Sequence, residues 1–243
     1  MEETYQGTAI VTGASSGIGF EISKKLCGMG YLVFGIGRNF HPPKFRKEEF
    51  LEGGFHPIVC DLLDTQRLLE QVKKIAAQNP VSVLVNNAGT AYYGLHEELN
   101  PQKIQQMVRT NLEVPMILTQ QLLRTLKKNR GYVINIASVT AQASNPHGCA
   151  YGATKAGLAS FSRSLFDEAR KYGVKVATIF PDMTETNLYR NADFTVAEEM
   201  QAYLDPEEVA QAVEYILSQR DGLVVSELTL KPQLHRIKKK NHG

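Results

Sequence analysis

The chain has 243 residues, of which 43% are hydrophobic and 21% are charged, and its formal net charge is +2. This is the composition of a globular protein, and so small a net charge gives no reason to expect a nucleic-acid partner. The sequence contains neither an apolar run of about 18 residues nor a charged-then-apolar leader, which argues against a membrane span or a signal peptide. We expect one cytoplasmic domain over 1–243, with a core at about 5–230 and a basic, frayed, solvated tail at 231–243.

Apolar, β-branched runs alternate with stretches of helical periodicity along the whole chain. Because near-continuous apolar strands that alternate with helices are typical of a parallel sheet covered on both faces, the sequence predicts a doubly wound α/β domain. The strands are predicted at 8–12, 31–36, 55–60, 81–86, 131–137, 174–180 and 223–230. The helices are predicted at about 17–29, 64–78, 101–127, 151–172 and 205–219.

Two segments lack both patterns and are predicted to be loops, 37–54 and 182–204. The second follows the carboxyl end of a strand, which makes it a candidate substrate lid. It is short, and this favours a small substrate.

The first strand leads into three glycines, Gly13, Gly17 and Gly19, within the stretch TGASSGIG. The spacing G-x-x-x-G-x-G is neither the G-x-G-x-x-G dinucleotide fingerprint nor a P-loop. One interpretation is a tight strand-to-helix turn without a ligand. The other is a phosphate cradle, in which the first N–H groups of a helix face an anion and glycine lets that anion approach.

Short polar residues also follow the later strands. Asp61 comes after the third strand, Asn86–Gly89 after the fourth, Ser138 after the fifth and residues 181–186 after the sixth. Because the carboxyl ends of parallel strands meet at one edge of a sheet, these clusters predict a ligand site at that edge.

The end of the second strand indicates which dinucleotide would bind. A carboxylate at this place usually holds the ribose 2′-OH of NAD, whereas an arginine suits the 2′-phosphate of NADP. This chain has Arg38 there, so the sequence predicts NADP(H) in preference to NAD(H). The nearby Lys44, Arg46 and Lys47 stand among glutamates and are interpreted as a solvated face.

The stretch YGATK places Tyr151 and Lys155 four residues apart, on one face of a helix. A nearby ammonium stabilises a phenolate and lowers the tyrosine pKa towards the working range of an acid or base. Such pairs arise by chance on ordinary helices. Ser138, at a strand end, strengthens the interpretation because it can bind the same substrate oxygen.

Asn111 is a fourth candidate because Pro115 lies four residues after it. Proline has no N–H to donate to the carbonyl four residues back, so that carbonyl is left for a water. A water between the Asn111 carbonyl and Lys155 would extend a proton path to solvent. The alternative is a plain proline kink in a core helix.

Together, TGASSGIG, CDLLD, NNAG, Asn111, Ser138, YGATK and the Pro181 segment resemble the short-chain dehydrogenase/reductase family in order and spacing. The resemblance covers about residues 5–230. It implies a single Rossmann-type domain with a seven-stranded parallel sheet. It also implies reversible hydride transfer between a nicotinamide and an alcohol or carbonyl, within a homodimer or homotetramer.

By the same resemblance, Tyr151 is the general acid/base, Lys155 tunes it and holds the nicotinamide ribose, Ser138 orients the substrate oxygen, and Asn111 supports the relay. Asp61 would contact the adenine, Asn87–Gly89 the adenosine side, and Thr186 the carboxamide. The full set of implied cofactor contacts is Gly13, Ser15, Ser16, Gly17, Ile18, Gly19, Arg38, Asp61, Leu62, Asn87, Ala88, Gly89, Tyr151, Lys155, Pro181, Thr184 and Thr186.

The chain departs from the family pattern in several places. Asp182 replaces the usual glycine after Pro181, where it either favours a cationic substrate or caps the next turn. Thr154 replaces a serine, and the usual glycine-rich C-terminal segment is missing, which puts family-style tetramer packing in doubt. Cys149 lies near the predicted site and is interpreted as a small buried thiol.

Two other functions compete with a carbonyl reductase or alcohol dehydrogenase. A non-catalytic NADP(H)-binding sensor or scaffold would use the same fold, but it need not retain Ser138, Tyr151, Lys155 and Asn111 together. A serine hydrolase is disfavoured because the sequence has no G-x-S-x-G elbow.

Overall fold

The computed structural model describes residues 5–41, 45–50 and 54–240. Its helices are α1 (Gly17–Gly28), α2 (Thr65–Gln78), α3 (Pro101–Val108), α4 (Val114–Asn129), α5 (Cys149–Ala169) and α6 (Pro206–Leu217). Its strands are β1 (Gly7–Thr12), β2 (Tyr31–Gly37), β3 (Phe55–Val59), β4 (Val81–Asn86), β5 (Tyr132–Ile136), β6 (Lys175–Pro181), β7 (Phe194–Val196), β8 (Glu227–Leu230) and β9 (Ile237–Lys239).

Seven strands form one sheet in the order β3-β2-β1-β4-β5-β6-β8, and every neighbouring pair is parallel. This confirms the predicted seven-stranded doubly wound sheet. Strand β1 lies between β2 and β4, so the chain reverses its direction of progress across the sheet at β1. A crevice at the carboxyl ends of strands on either side of such a reversal is where ligands bind in this architecture.

The central strands of the sheet are buried on both faces, which explains why they are nearly continuous apolar runs. Along β1, Ala9 and Val11 belong to the core cluster that α1 and α6 cover. Ile10, between them, belongs to the cluster that α2 and α4 cover on the opposite face. Successive side chains of a strand point to opposite faces, so each strand needs apolar residues at consecutive positions here.

Two helices begin at carboxylate caps that the sequence supplies. The Asp64 side chain accepts a hydrogen bond from the Arg67 N–H at 3.1 Å at the start of α2. At the start of α6, the Glu208 carboxylate accepts the Asp205 N–H at 2.8 Å. Each satisfies a backbone donor that the first helical turn leaves without a partner.

The predicted helix over 101–127 is divided into α3 and α4 by one π-helical turn, Arg109–Glu113. The Val114 N–H donates to the Arg109 carbonyl, five residues back. Pro115 follows immediately and has no N–H to continue an α-helical pattern. The interruption therefore lies where the proline predicted one, but its form is an inserted wide turn.

Three expectations about the later part of the chain were wrong. The predicted strand 223–230 is shorter, Glu227–Leu230. The loop 182–204 contains a strand of its own, β7, which pairs with β9 in an antiparallel ribbon. Because β9 lies within the predicted frayed tail, that tail is ordered through residue 240. No helix among the described residues has the length and apolar character needed to cross a membrane.

Candidate functional site

A cleft opens at the carboxyl edge of the sheet, beyond β1, β2, β4, β5 and β6. The predicted site residues line this cleft, with two exceptions among the described residues. Gly19 and Asn111 lie behind the cleft wall. The predicted residues along the cleft are Gly13, Ser15, Ser16, Gly17, Ile18, Arg38, Asp61, Leu62, Asn87, Ala88, Gly89, Ser138, Tyr151, Lys155, Pro181, Thr184 and Thr186.

At its glycines, the turn between β1 and α1 has little room for a side chain. Gly13 has a φ angle of 68°, a conformation that side chains rarely tolerate. A Cβ atom at Gly19 would collide with the Gly13 carbonyl oxygen and with the Asn87 amide. The N-cap residue of α1 is Ser16, whose side chain makes no capping hydrogen bond within the described chain. The first N–H groups of α1 therefore lie at the cleft without a side-chain cap, an arrangement that suits an anion.

Thr12, the last residue of β1, ties this turn to the end of β4. Its Oγ1 accepts hydrogen bonds from the Asn87 N–H at 3.0 Å and the Ala88 N–H at 3.1 Å. The side-chain amide of Asn87 donates a hydrogen bond to the Thr12 carbonyl at 2.9 Å. Thr12 was not among the predicted site residues. The available signal was a polar residue directly after the apolar run Ala9–Val11.

Arg38 follows β2 directly and lines the cleft with its side chain exposed. Asp61 lines the same end, and one of its carboxylate oxygens accepts the Leu63 N–H at 3.0 Å. Of the basic residues that follow Arg38, Arg46 pairs with Glu49 at 2.6 Å, as a solvated face predicts. Lys44 and the Lys47 side chain lie outside the described residues.

Helix α5 places Tyr151 and Lys155 one turn apart, each 4% exposed, on the cleft wall. The Lys155 Nζ donates to the carbonyl of Ile136, at the end of β5, at 2.7 Å. It lies 5.8 Å from the centroid of the Tyr151 ring. The ammonium is therefore anchored to the neighbouring strand and faces the cleft beside the tyrosine.

Ser138 follows β5 and is held as a hydrogen-bond donor. Its Oγ accepts the Thr140 N–H at 3.2 Å and the Thr140 hydroxyl at 3.0 Å, which occupies both lone pairs. Its own proton is then the group left to donate, and the Ser138 side chain forms a hydrogen bond with Tyr151. Thr140 was not identified from the sequence, because its role depends on the turn that follows β5.

The pKa values of Tyr151 and Lys155 differ from the expectation in one respect. Burial lowers the pKa of Lys155 to about 8, because desolvation penalises the ammonium. Burial raises the pKa of Tyr151, with a further increase from Tyr189, and the hydrogen bond from Ser138 acts in the opposite direction. The expected lowering of the Tyr151 pKa by Lys155 is therefore wrong for this structure, because the Tyr151 pKa is raised and Ser138 is the group that acts to lower it.

Asn111 is fully buried in the π turn, behind Gly89. Its amide oxygen accepts the Thr90 N–H at 2.9 Å. Its amide nitrogen donates to the Thr90 carbonyl at 2.9 Å and to the Thr154 hydroxyl at 3.1 Å. The side chain thus fixes the loop after β4 against α5, and the threonine at position 154 provides the acceptor.

The other end of the cleft is formed by the segment after β6. Asp182 lines the cleft, and one of its carboxylate oxygens accepts the adjacent Met183 N–H at 2.8 Å, a contact within the turn that the capping interpretation predicts. A 3₁₀ segment, Asn187–Asn191, then contributes four residues to the cleft lining that the sequence analysis missed. These four are Asn187, Leu188, Tyr189 and Arg190.

Aromatic side chains connect this segment to Tyr151. The Tyr93 ring lies 6.0 Å from Tyr151 and 4.9 Å from Phe194 of β7, and Phe194 lies 5.5 Å from Tyr189. Cys149, at the start of α5, is exposed rather than buried as expected, since the first residue of the helix faces solvent.

Comparison with known proteins agrees with this geometry. The family model for short chain dehydrogenases matches residues 7–196. An uncharacterized oxidoreductase of Staphylococcus epidermidis is 30% identical over 237 residues, covering 96% of this chain and 100% of that protein. Serine 3-dehydrogenase of Rhizobium radiobacter is 32% identical over 247 residues, covering 93% of this chain and 94% of that protein.

Among solved structures, an alcohol dehydrogenase from the archaeon Thermococcus sibiricus, complexed with 5-hydroxy-NADP, matches with a TM-score of 0.83. It is 26% identical, and the match covers 95% of this chain and 97% of that one. The resemblance stated from the motifs is confirmed, and the chain belongs to the short chain dehydrogenase family of oxidoreductases.

Proposed function

We propose that this protein is an NADP(H)-dependent oxidoreductase that interconverts a small alcohol and the corresponding carbonyl compound. One observation supports this most strongly. Tyr151, Lys155 and the donor-oriented Ser138 meet in one buried wall of a cleft whose other end is the glycine turn. A protein that only sensed the dinucleotide would have no need to bury a lysine and a tyrosine side by side, at the desolvation penalty this carries.

The residues along the cleft fit a nicotinamide dinucleotide. The close packing around Gly19 and the uncapped start of α1 suit a pyrophosphate, because both bring backbone N–H groups close to an anion. Asp61 and Asn87–Gly89 would hold the adenosine half, and Lys155 and Thr186 the nicotinamide half. When bound, the nicotinamide supplies or accepts the hydride.

The chain's own residues would manage the proton. Ser138 donates a hydrogen bond to the carbonyl oxygen and fixes its position. Tyr151 transfers its phenolic proton to that oxygen as the carbon is reduced, and takes one from the alcohol in the reverse direction. The Lys155 ammonium stabilises the phenolate that remains. The Asn111 carbonyl, through a water, would connect Lys155 to solvent.

Arg38 supports NADP(H) over NAD(H). A guanidinium offers several donors to a 2′-phosphate, and position 38 carries no carboxylate to repel that phosphate. The Thermococcus alcohol dehydrogenase, which matches this chain over nearly its whole length, was solved with an NADP derivative.

Cofactor binding by an Arg38→Ala variant tests this preference. The dissociation constant for NADPH should rise by roughly 10- to 150-fold, because a charge-assisted hydrogen bond contributes about 1.5–3 kcal/mol. Binding of NADH should stay nearly unchanged. Arg46→Ala is the matched control, since Arg46 is exposed and pairs with Glu49. Equal NADPH and NADH dissociation constants in the wild type would rule out the preference.

A further inference from the structure

The segment 233–240 folds back onto the lid segment, 182–204. Strand β9 pairs with β7 in the register Phe194↔Lys239, Thr195↔Lys238 and Val196↔Ile237. The Leu234 N–H donates to the Gln201 carbonyl at 2.8 Å, and the Lys240 N–H donates to the Asp193 carbonyl at 2.7 Å. The lid is thus attached along its length to residues far from it in sequence.

Lys240 makes the most specific of these contacts. Its ammonium donates to the Tyr189 carbonyl at 2.6 Å and to the Ala192 carbonyl at 2.9 Å. These carbonyls lie at the end of the 3₁₀ segment Asn187–Asn191, where the Tyr189 carbonyl also accepts the Ala192 N–H at 3.0 Å, so Lys240 adds a second donor to the last turn. A cation at such a terminus satisfies the carbonyls and interacts favourably with their aligned dipoles.

The neighbouring ion pairs are weaker candidates for holding the lid. Arg236 pairs with Glu199 and Lys238 pairs with Glu198, but the side chains of all four residues are more than half exposed. Exposed pairs of this kind contribute little, because solvent and salt screen them. Lys240 differs because its side chain is partly buried and its acceptors are fixed backbone atoms.

The carbonyls that accept hydrogen bonds from Lys240 lie in, or directly after, the 3₁₀ segment that lines the cleft. Leu188 and Tyr189 line the cleft, and Tyr189 raises the pKa of Tyr151. Beyond Ala192, Phe194 packs on Tyr93, which lies against Tyr151. A displacement of residues 187–194 would therefore change the wall opposite the catalytic tyrosine.

We infer that Lys240 is a positioning residue, which fixes the substrate side of the cleft by holding the backbone of residues 187–192. Its effect on turnover rests on the proposed function, whereas its effect on the lid does not. The cofactor cradle at 13–19 lies on other elements, so loss of this contact should affect the substrate and leave the dinucleotide alone.

The test compares Lys240→Met with Lys239→Met. Both remove one positive charge, but Lys239 is exposed and adjacent. In Lys240→Met, hydrogen exchange of amides in 182–204 should accelerate by at least about tenfold, because the variant loses both charge-assisted hydrogen bonds of the ammonium. The KM for the carbonyl substrate should rise by a similar factor, with kcat and the NADPH dissociation constant nearly unchanged. Lys240→Arg, which keeps the charge and the donors, should restore most of the wild-type behaviour.

Exchange within α5, measured in the same samples, separates a local effect from a global one. Equal acceleration in α5 and in 182–204 would overturn the inference, because it would mean general destabilisation. So would identical exchange in Lys240→Met and Lys239→Met, or faster exchange without a change in KM. If the wild type reduced no carbonyl compound, the proposed function would fail, and the exchange data would still decide whether Lys240 holds the lid.

Discussion

At the scale of single residues, the site depends on a charge held where charges are unfavourable. Lys155 is 4% exposed, and its ammonium has the Ile136 carbonyl as its hydrogen-bond acceptor. Desolvation lowers its pKa to about 8. The protein therefore keeps a cation beside Tyr151 at neutral pH at the expense of some stability.

The desolvation of the Lys155 ammonium predicts that the free energy of unfolding depends on pH. The pKa of Lys155 is about 8 in the folded protein, against an ordinary value of 10.5 for a lysine, so between these values the unfolded chain binds more protons. The contribution of Lys155 to the free energy of unfolding should then increase as pH rises from 8 to 10.5, and decrease as pH falls towards 8.

Denaturant unfolding of the wild type and Lys155→Met at pH 7.5 and pH 9.5 checks this. The stability of Lys155→Met relative to the wild type should decrease by about 1–2 kcal/mol at the higher pH, since one pKa unit corresponds to about 1.36 kcal/mol. A difference between the two proteins that stays constant over this range would contradict the assignment.

The sequence predicted the residues whose geometry is local. Tyr151 and Lys155 share a helical face by their spacing alone, and Ser138 follows a strand with a clear pattern. Thr140 and Thr12 could not be identified in this way. Their hydroxyl groups act through hydrogen bonds set by a turn and by the register between two strands, which the pattern of either segment does not reveal.

At the scale of elements, the π turn at Arg109–Glu113 shapes the middle of the site. It widens the helix by one residue just before Pro115, and it carries Asn111 into contact with Thr90 and Thr154. Such turns occur often at functional sites, because they aim a side chain or a carbonyl that a regular helix would bury.

Pro115→Ala tests the role of this turn. The new N–H can bond the Asn111 carbonyl, which would compete with a water there and favour a regular helix. Turnover should decrease, while NADPH affinity stays close to the wild-type value. Intrinsic helix propensity favours alanine by about 3 kcal/mol, although packing adapted to the present shape would offset much of this.

A crystal structure provides the structural readout. We expect the wild type to show a water within hydrogen-bonding reach of both the Asn111 carbonyl and Lys155, and Pro115→Ala to lose it. Unchanged turnover in Pro115→Ala with the water lost would remove the basis for a proton path through Asn111.

The hydrophobic pattern predicted the central strands of the main sheet because these strands are buried on both faces. The sequence did not predict the ribbon of β7 and β9, and the reason is physical. Each strand has three residues, β9 is basic and exposed, and their pairing joins segments about 40 residues apart. Composition at the end of the chain therefore suggested a solvated tail, although its backbone is paired.

At the scale of the whole molecule, the sheet collects one site from distant parts of the chain. The turns after β1, β2 and β4 form the end with the anion cradle, and β5, α5 and the lid form the end with Tyr151. A homodimer or homotetramer stays a prediction. The central claim is that these two ends work together, the first holding a dinucleotide and the second exchanging a proton with a substrate oxygen.

Deuterium transfer tests that claim most directly. NADPH carrying two deuterium atoms at C4 of the nicotinamide would be incubated with a panel of ketones and aldehydes, and the products analysed by mass spectrometry. The wild type should place one deuterium on the carbinol carbon. Tyr151→Phe should do so about 10²- to 10⁴-fold more slowly, the usual contribution of general acid–base catalysis, while binding NADPH as the wild type does. An alcohol product without deuterium, or a Tyr151→Phe rate close to the wild-type rate, would contradict the account.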